Sequence, residues 1–122
     1  MSLSKFFLSF AIGFCGICHA FRTEQNMRVH CLAAICVIAA GMTFSLAAWE
    51  WIAVSLCIGL VISAECMNTA IERLADRITQ ETNPLIKHAK DCGSAAVLVL
   101  AMTAAAVGLT IFVPKIWVMS GW

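Results

Sequence analysis

The sequence predicts an all-α integral membrane protein, with an N-terminal amphipathic surface helix and three transmembrane helices in one domain spanning residues 1–122. Composition is the first reason. Of 122 residues, 61% are hydrophobic and 12% charged, where a soluble domain has roughly 45–50% apolar and about 25% charged residues. A chain this short cannot hide that surplus in a soluble core. The second reason is length: Cys31–Trp49 and Ala95–Val113 contain no charged residue. At ~1.5 Å per residue each covers roughly 28 Å, close to the hydrocarbon thickness of a bilayer. The third is the placement of Lys and Arg, which apart from Lys115 fall on one side of those runs. A net charge of +1 gives no case for a nucleic-acid partner.

The surface helix is expected over about 4–22. Phe6, Phe10, Phe14, Ile17 and Phe21 recur at helical spacing with Ser9, Gly13, Gly16 and His19 between them, the pattern of a helix lying in the lipid interface. Lys5, the apolar stretch and Ala20 also resemble a signal peptide. Cleavage there would leave Arg22, Glu24 and Arg28 without an evident purpose, so the helix is read as retained. Residues 15–19, CGICH, match a haem-attachment pattern. Haem attachment needs the oxidising side of the membrane, and the charge bias places this segment on the other side. The seven cysteines, at 15, 18, 31, 36, 57, 66 and 92, are odd in number and dispersed, which is no disulfide framework. They are expected to act as small apolar residues, with no haem bound.

The spans are expected at about 29–48, 51–70 and 94–113. Trp51–Ala64 is too short alone and must borrow a turn or two past Glu65, which places Glu65 at the membrane boundary. The third helix opens with Asn83-Pro84, an N-cap followed by a first-turn proline, and Pro114 is expected to stop it. Lys5, Arg22 and Arg28 precede the first span, and Arg73, Arg77, Lys87 and Lys90 lie between the second and third. The N-terminus and the 65–94 connection are therefore assigned to the cytoplasm. Trp49, Trp51, Trp117 and Trp122 suit the opposite interface. Ser55, Gly59 and Ser63 on span two, and Ala104 and Gly108 on span three, form small-residue faces that permit close helix approach.

A polar stripe interrupts this pattern. At about 100° per residue, Glu65, Asn68, Glu72 and Asp76 fall in one narrow sector, with Met67, Ile71, Leu74 and Ile78 on the far side. Carboxylates near lipid usually face a bundle interior or a wet cavity. For Asp76, Arg73 and Arg77 the plain alternative is a helix leaving the membrane with its polar face in water. Two more clusters reach the same level: Arg22–His30 ahead of the first span, and Lys87, Lys90, Asp91 and Ser94 ahead of the third. Several carboxylates, a Lys90–Asp91 pair and a hydroxyl suit Mg²⁺ with phosphate oxygens. They also suit a base that takes a proton from an attacking hydroxyl. Neither the P-loop nor the kinase Gly-rich loop is present, so the residues alone leave phosphoryl transfer as one option among several.

ECMNTAIERLADRI (65–78) followed by KHAKDCGSAAVLV (87–99) resembles the signature of the prokaryotic diacylglycerol kinase family, which includes undecaprenol kinases. The resemblance extends to the surface helix, to E-x-N-x-R at Glu24–Arg28 and to F-x-P at Phe112–Pro114. It implies a homotrimer in the bacterial cytoplasmic (inner) membrane, with composite sites facing the cytoplasm, using ATP and Mg²⁺ to phosphorylate a membrane lipid. By motif position Glu65 would be the base on the lipid hydroxyl, with Asn68 supporting the catalytic centre. Glu24 and Glu72 would hold the metal and the ATP phosphates. Lys90 and Asp91 would contact the nucleotide, joined by Lys5, Glu81 and Asn83. Ser94, Asn26 and His30 would lie beside the lipid.

Two positions depart from the family pattern. His30 stands where proteobacterial diacylglycerol kinases carry a second acid, and Q-N-M-R-V-H looks more like the undecaprenol-kinase branch. Ile12 replaces an aromatic residue near the nucleotide in some relatives. The acceptor, diacylglycerol or undecaprenol, stays open at this point. Two other classes compete: a non-enzymatic small membrane subunit docking through the stripe, and a transporter using Glu65 as a relay. The transporter predicts acids deeper in the spans, and spans one and three have none.

Overall fold

The computed structural model describes residues 2–121. It contains four helices, α1 (Leu3–Thr23), α2 (Gln25–Thr43), α3 (Ala48–Ile78) and α4 (Pro84–Met119), and no strand among the described residues. All four are long and apolar enough to cross a membrane. Trp122, expected at the far interface, lies outside the described residues.

α1 is capped by Ser2, whose Oγ accepts the Lys5 N–H at 3.4 Å. Its phenylalanines are exposed, with Phe6 and Phe10 edge to face at 5.1 Å. A single extended residue, Glu24, separates α1 from α2. Arg28, one turn into α2, donates to the Phe21 and Arg22 carbonyls at 3.1 and 3.0 Å. These are acceptors that the end of α1 leaves without helical partners. The corner is thus pinned by the basic residue that follows it.

α2 ends at Thr43, short of the expected 48, because the chain turns at Ser45 (φ 53°) and sends Leu46 into the core. Leu46, Val54 and Ile111 form that core, with Val37, Trp51, Ile58, Val107 and Phe112 packed around it. Gly41 is required here: a Cβ would stand 2.7 Å from Trp51 Cη2 and 3.0 Å from Leu46 Cδ1. Trp51, expected at the far interface, is half-buried, and the missing side chain at Gly41 gives room to its indole. Trp49 and Trp117 are exposed.

α3 and α4 pack against each other over the greatest length, with α2 laid against α3. Asn83 caps α4, its Oδ1 accepting the Leu85 and Ile86 N–H groups at 2.9 and 3.3 Å. Pro114 does not stop α4, which runs on to Met119. The proline removes the donor for the Thr110 carbonyl, a loss that membrane helices tolerate. The following turn is held by Lys115, whose Nζ sits 3.1 Å from Glu50 Oε2 on α3. Glu50 also accepts the Ala47 N–H at 2.9 Å, so the start of α3 and the end of α4 are joined through one carboxylate. Gly59 and Gly108 face open space, so no helix of the described chain covers those small-residue positions.

Candidate active site

The polar stripe of α3 divides between two neighbours. Its first member, Glu65, turns toward α2 and is only 2% exposed. His30 Nε2 lies 3.3 Å from Glu65 Oε1, yet no donor is aligned on that oxygen. One turn on, Thr69 donates its hydroxyl to the Glu65 carbonyl at 2.8 Å. That bond tidies the backbone and leaves the carboxylate unserved. A buried polar atom without a partner is costly, and such atoms in a native fold call for an explanation in terms of chemistry or a ligand.

Asn68 turns toward α4. Its Nδ2 donates to Glu72 Oε1 at 3.4 Å, while its Oδ1 is buried without a partner. Opposite it stands Gly93, where any Cβ would overlap Asn68 Oδ1. Two of the unpartnered side-chain atoms of the described residues thus belong to the two residues expected at the catalytic centre.

Glu24, at the α1–α2 corner, is held by Arg73 of α3, Nη2 to Oε1 at 2.8 Å. Glu24 and Glu72 are both close enough to Glu65 for their charges to act on it. Among the described residues no group of three or more His, Cys, Asp or Glu side chains is placed to hold a metal ion. Mg²⁺ needs no such cage, since it takes one or two carboxylates together with phosphate oxygens and waters. Half-buried Glu72 and Glu24 fit that requirement.

A second assembly forms where α3 ends and α4 begins, in an open cleft of about 370 Å³ lined by Asp76, Glu81, Asn83, Lys87, Lys90 and Asp91 among others. Lys90 and Asp91, both expected at the nucleotide, engage different partners. Lys90 Nζ reaches back to Asp76 Oδ1 at 2.5 Å, and Lys87 Nζ takes Asp91 Oδ2 at 2.6 Å. Consecutive helical residues point about 100° apart, so 87 and 91 share a face while 90 turns toward α3. The hydrogen bond from Lys87 holds the Asp91 carboxyl below its ordinary range. Asn83 spends its side-chain oxygen on the helix cap, and its amide N–H groups make no hydrogen bond among the described residues.

The structure thus groups Glu65, Asn68, His30, Glu24 and Glu72 at one place, and Glu81, Asn83, Lys90 and Asp91 at another. Lys5, Asn26 and Ser94 are exposed, and their side chains make no hydrogen bond or ion pair to these groups among the described residues. The sequence reading missed Gly93, Thr69 and the ion-pair roles of Arg73 and Asp76. Thr69 lay in view, four residues after Glu65, but the tertiary partners depend on how each helix is rotated.

Over residues 11–112 the chain matches the family model described as prokaryotic diacylglycerol kinase. It is similar to an undecaprenol kinase of Bacillus subtilis (strain 168), 42% identical over 114 residues that cover 93% of each chain. A diacylglycerol kinase of Synechocystis sp. is 34% identical over 110 residues, 89% of this chain and 63% of the relative. One from Pseudomonas aeruginosa is 35% identical over 82 residues, 66% of either chain.

Proposed function

The chain belongs to the prokaryotic diacylglycerol kinase family and is a lipid kinase, and from that premise we propose that it transfers the γ-phosphate of ATP to the hydroxyl of undecaprenol. Glu65 carries the reading: a carboxylate sealed from solvent, with an oxygen that no donor serves, at the lipid boundary of α3. A lipid hydroxyl entering beside it would meet a carboxylate free to accept its proton. Two observations favour undecaprenol over diacylglycerol: the similarity to an undecaprenol kinase along 93% of the chain, and His30 in place of a second acid.

In this mechanism Glu65 accepts the hydroxyl proton as the lipid oxygen attacks the γ-phosphorus. The bond from that phosphorus to the β–γ bridging oxygen breaks, and ADP leaves with the lipid phosphate as the other product. Asn68 orients the reacting groups through its unpartnered Oδ1. Lys90, exchanging Asp76 for phosphate, neutralises charge on the nucleotide, while Glu81, Asn83 and Asp91 shape its cleft. Glu24 and Glu72 would hold Mg²⁺, which would neutralise the phosphate oxygens as charge shifts. Lys5 would join the nucleotide, and Asn26 and Ser94 the lipid. The proposed setting is the inner membrane, with the N-terminus and site cytoplasmic, α1 in the interface, α2–α4 spanning and three copies assembled.

The test supplies ATP labelled on its γ-phosphate, with Mg²⁺, to purified protein in mild detergent, offering undecaprenol and diacylglycerol in separate micelles. Label in undecaprenol, lost in Glu65→Gln, is the expected result. Label in diacylglycerol alone reverses the choice of acceptor, and none in either removes the reading.

A further inference from the structure

We propose that His30 positions Glu65 for proton abstraction, fixing one carboxylate oxygen so that the other faces the lipid hydroxyl; this rests on the kinase reading above. A base that must meet a hydroxyl in a defined direction needs its own carboxylate plane held. Among the described residues His30 is the ion-pair partner of Glu65, with Nε2 3.3 Å from Oε1. No other side chain with an N–H is placed against that carboxylate among the described residues, and Oε1 has no aligned donor.

The charged groups around it leave the task to the imidazole. Glu24 from the α1–α2 corner and Glu72 from α3 are both acidic and have no N–H to give. Arg73 is engaged with Glu24 and Lys90 with Asp76. α4 brings Gly93, opposite Asn68 of α3, to this level, and no charge of α4 acts on Glu65. His30 is half-buried, at 22% side-chain exposure. It lines the head of an apolar groove of about 560 Å³ between α2, α3 and α4, with Ala34, Val61 and Ile62. A ring set among apolar walls has few directions in which to point its nitrogen. The N–H is off the line of Oε1 in the free chain, and a modest ring rotation aligns it; catalytic hydrogen bonds commonly tighten only when substrate is bound. With Nε2–H donated to Oε1, Oε2 becomes the oxygen presented to the lipid. His30 then acts through Glu65, which differs from the direct lipid contact expected from its sequence position.

The two roles separate in steady-state kinetics on undecaprenol. Positioning predicts that His30→Leu lowers kcat about tenfold or more, with the KM values for ATP and lipid near those of the wild type. His30→Gln, which keeps an N–H donor, recovers most of that loss. A His30→Leu enzyme with unchanged kcat and a raised lipid KM overturns the proposal in favour of lipid contact. Equal impairment of the Leu and Gln variants, both shown to keep native helix content and assembly, overturns it as well. The imidazole nitrogen NMR signals of His30, compared between wild type and Glu65→Gln, read the pair without any turnover. Signals that shift on that substitution in a protein inactive on every lipid would retain the pair and reject the kinase reading; unshifted signals reject the pair.

Discussion

The chain buries two carboxylates on α3, one in its first turn and one midway along it, and the two are treated in opposite ways. Glu50, at the first turn, accepts the Ala47 N–H and faces Lys115 across the helix pair. Glu65, four turns on, keeps an oxygen with no donor, and Asn68 beside it does the same. The glycines repeat the contrast. Gly41 makes room for the rigid indole of Trp51 and the branched end of Leu46, whereas Gly93 makes room for the tip of an asparagine. The first turn satisfies its buried carboxylate, whereas the middle of the helix holds polar atoms without partners, the pattern the proposed function requires.

Glu65→Gln should break the comparison most completely. Transfer activity is expected to fall by about 10²–10⁴-fold, while the thermal midpoint in detergent holds or rises, because a sealed carboxylate without a donor is removed. The same alanine at the two glycines should then give opposite readouts. At Gly93 the asparagine can swing aside, so the midpoint changes little. Activity drops on the order of tenfold to a hundredfold as Asn68 loses its place. At Gly41 neither neighbour can yield cheaply, so about 1–3 kcal/mol of stability is lost, measured by denaturation in mixed micelles, while kcat in folded protein is retained.

Acid sharpens the contrast at the other carboxylate. The Ala47 N–H and then Lys115 hold the Glu50 carboxyl below its ordinary range. A folded pKa below the unfolded one means its stabilisation is complete above the ordinary carboxylate pKa and vanishes as pH falls through the lowered value. Thermal midpoints followed from neutral pH into that acid range should drop more in wild type than in Glu50→Gln. The smallest effect is expected at the corner: Glu24 and Arg73 are partly exposed, and a double-mutant cycle should assign their pair less than about 1 kcal/mol.

The helices were largely legible because each rests on local information, such as the phenylalanine spacing of α1, the uncharged runs, and the Asn83-Pro84 cap. The stripe was legible for the same reason, since one helix determines which of its residues share a face. Partners across helices were not. Which acid of α3 Lys90 meets, and whether His30 meets lipid or Glu65, depends on the rotation of two helices about their axes. The packing of Trp51 was not legible either, because its indole lies against Gly41, a residue ten positions away on another helix. One missed pairing did have a signal. Glu50 and Lys115 are the two charged residues at their end of the molecule, and opposite charges left alone near lipid have strong reason to meet.

The single extended residue between α1 and α2 gives the first helix the mechanics of an oar in one rowlock. Twenty-one residues of helix make a shaft of roughly 31 Å, whose direction is set at the two backbone torsions of Glu24 and held by Arg28. A change of some ten degrees there would sweep the blade, where Lys5 sits, through about 5 Å of arc for a shaft of that length. The reach of the N-terminal lysine is therefore geared to Glu24, a residue whose own carboxylate is moored to Arg73.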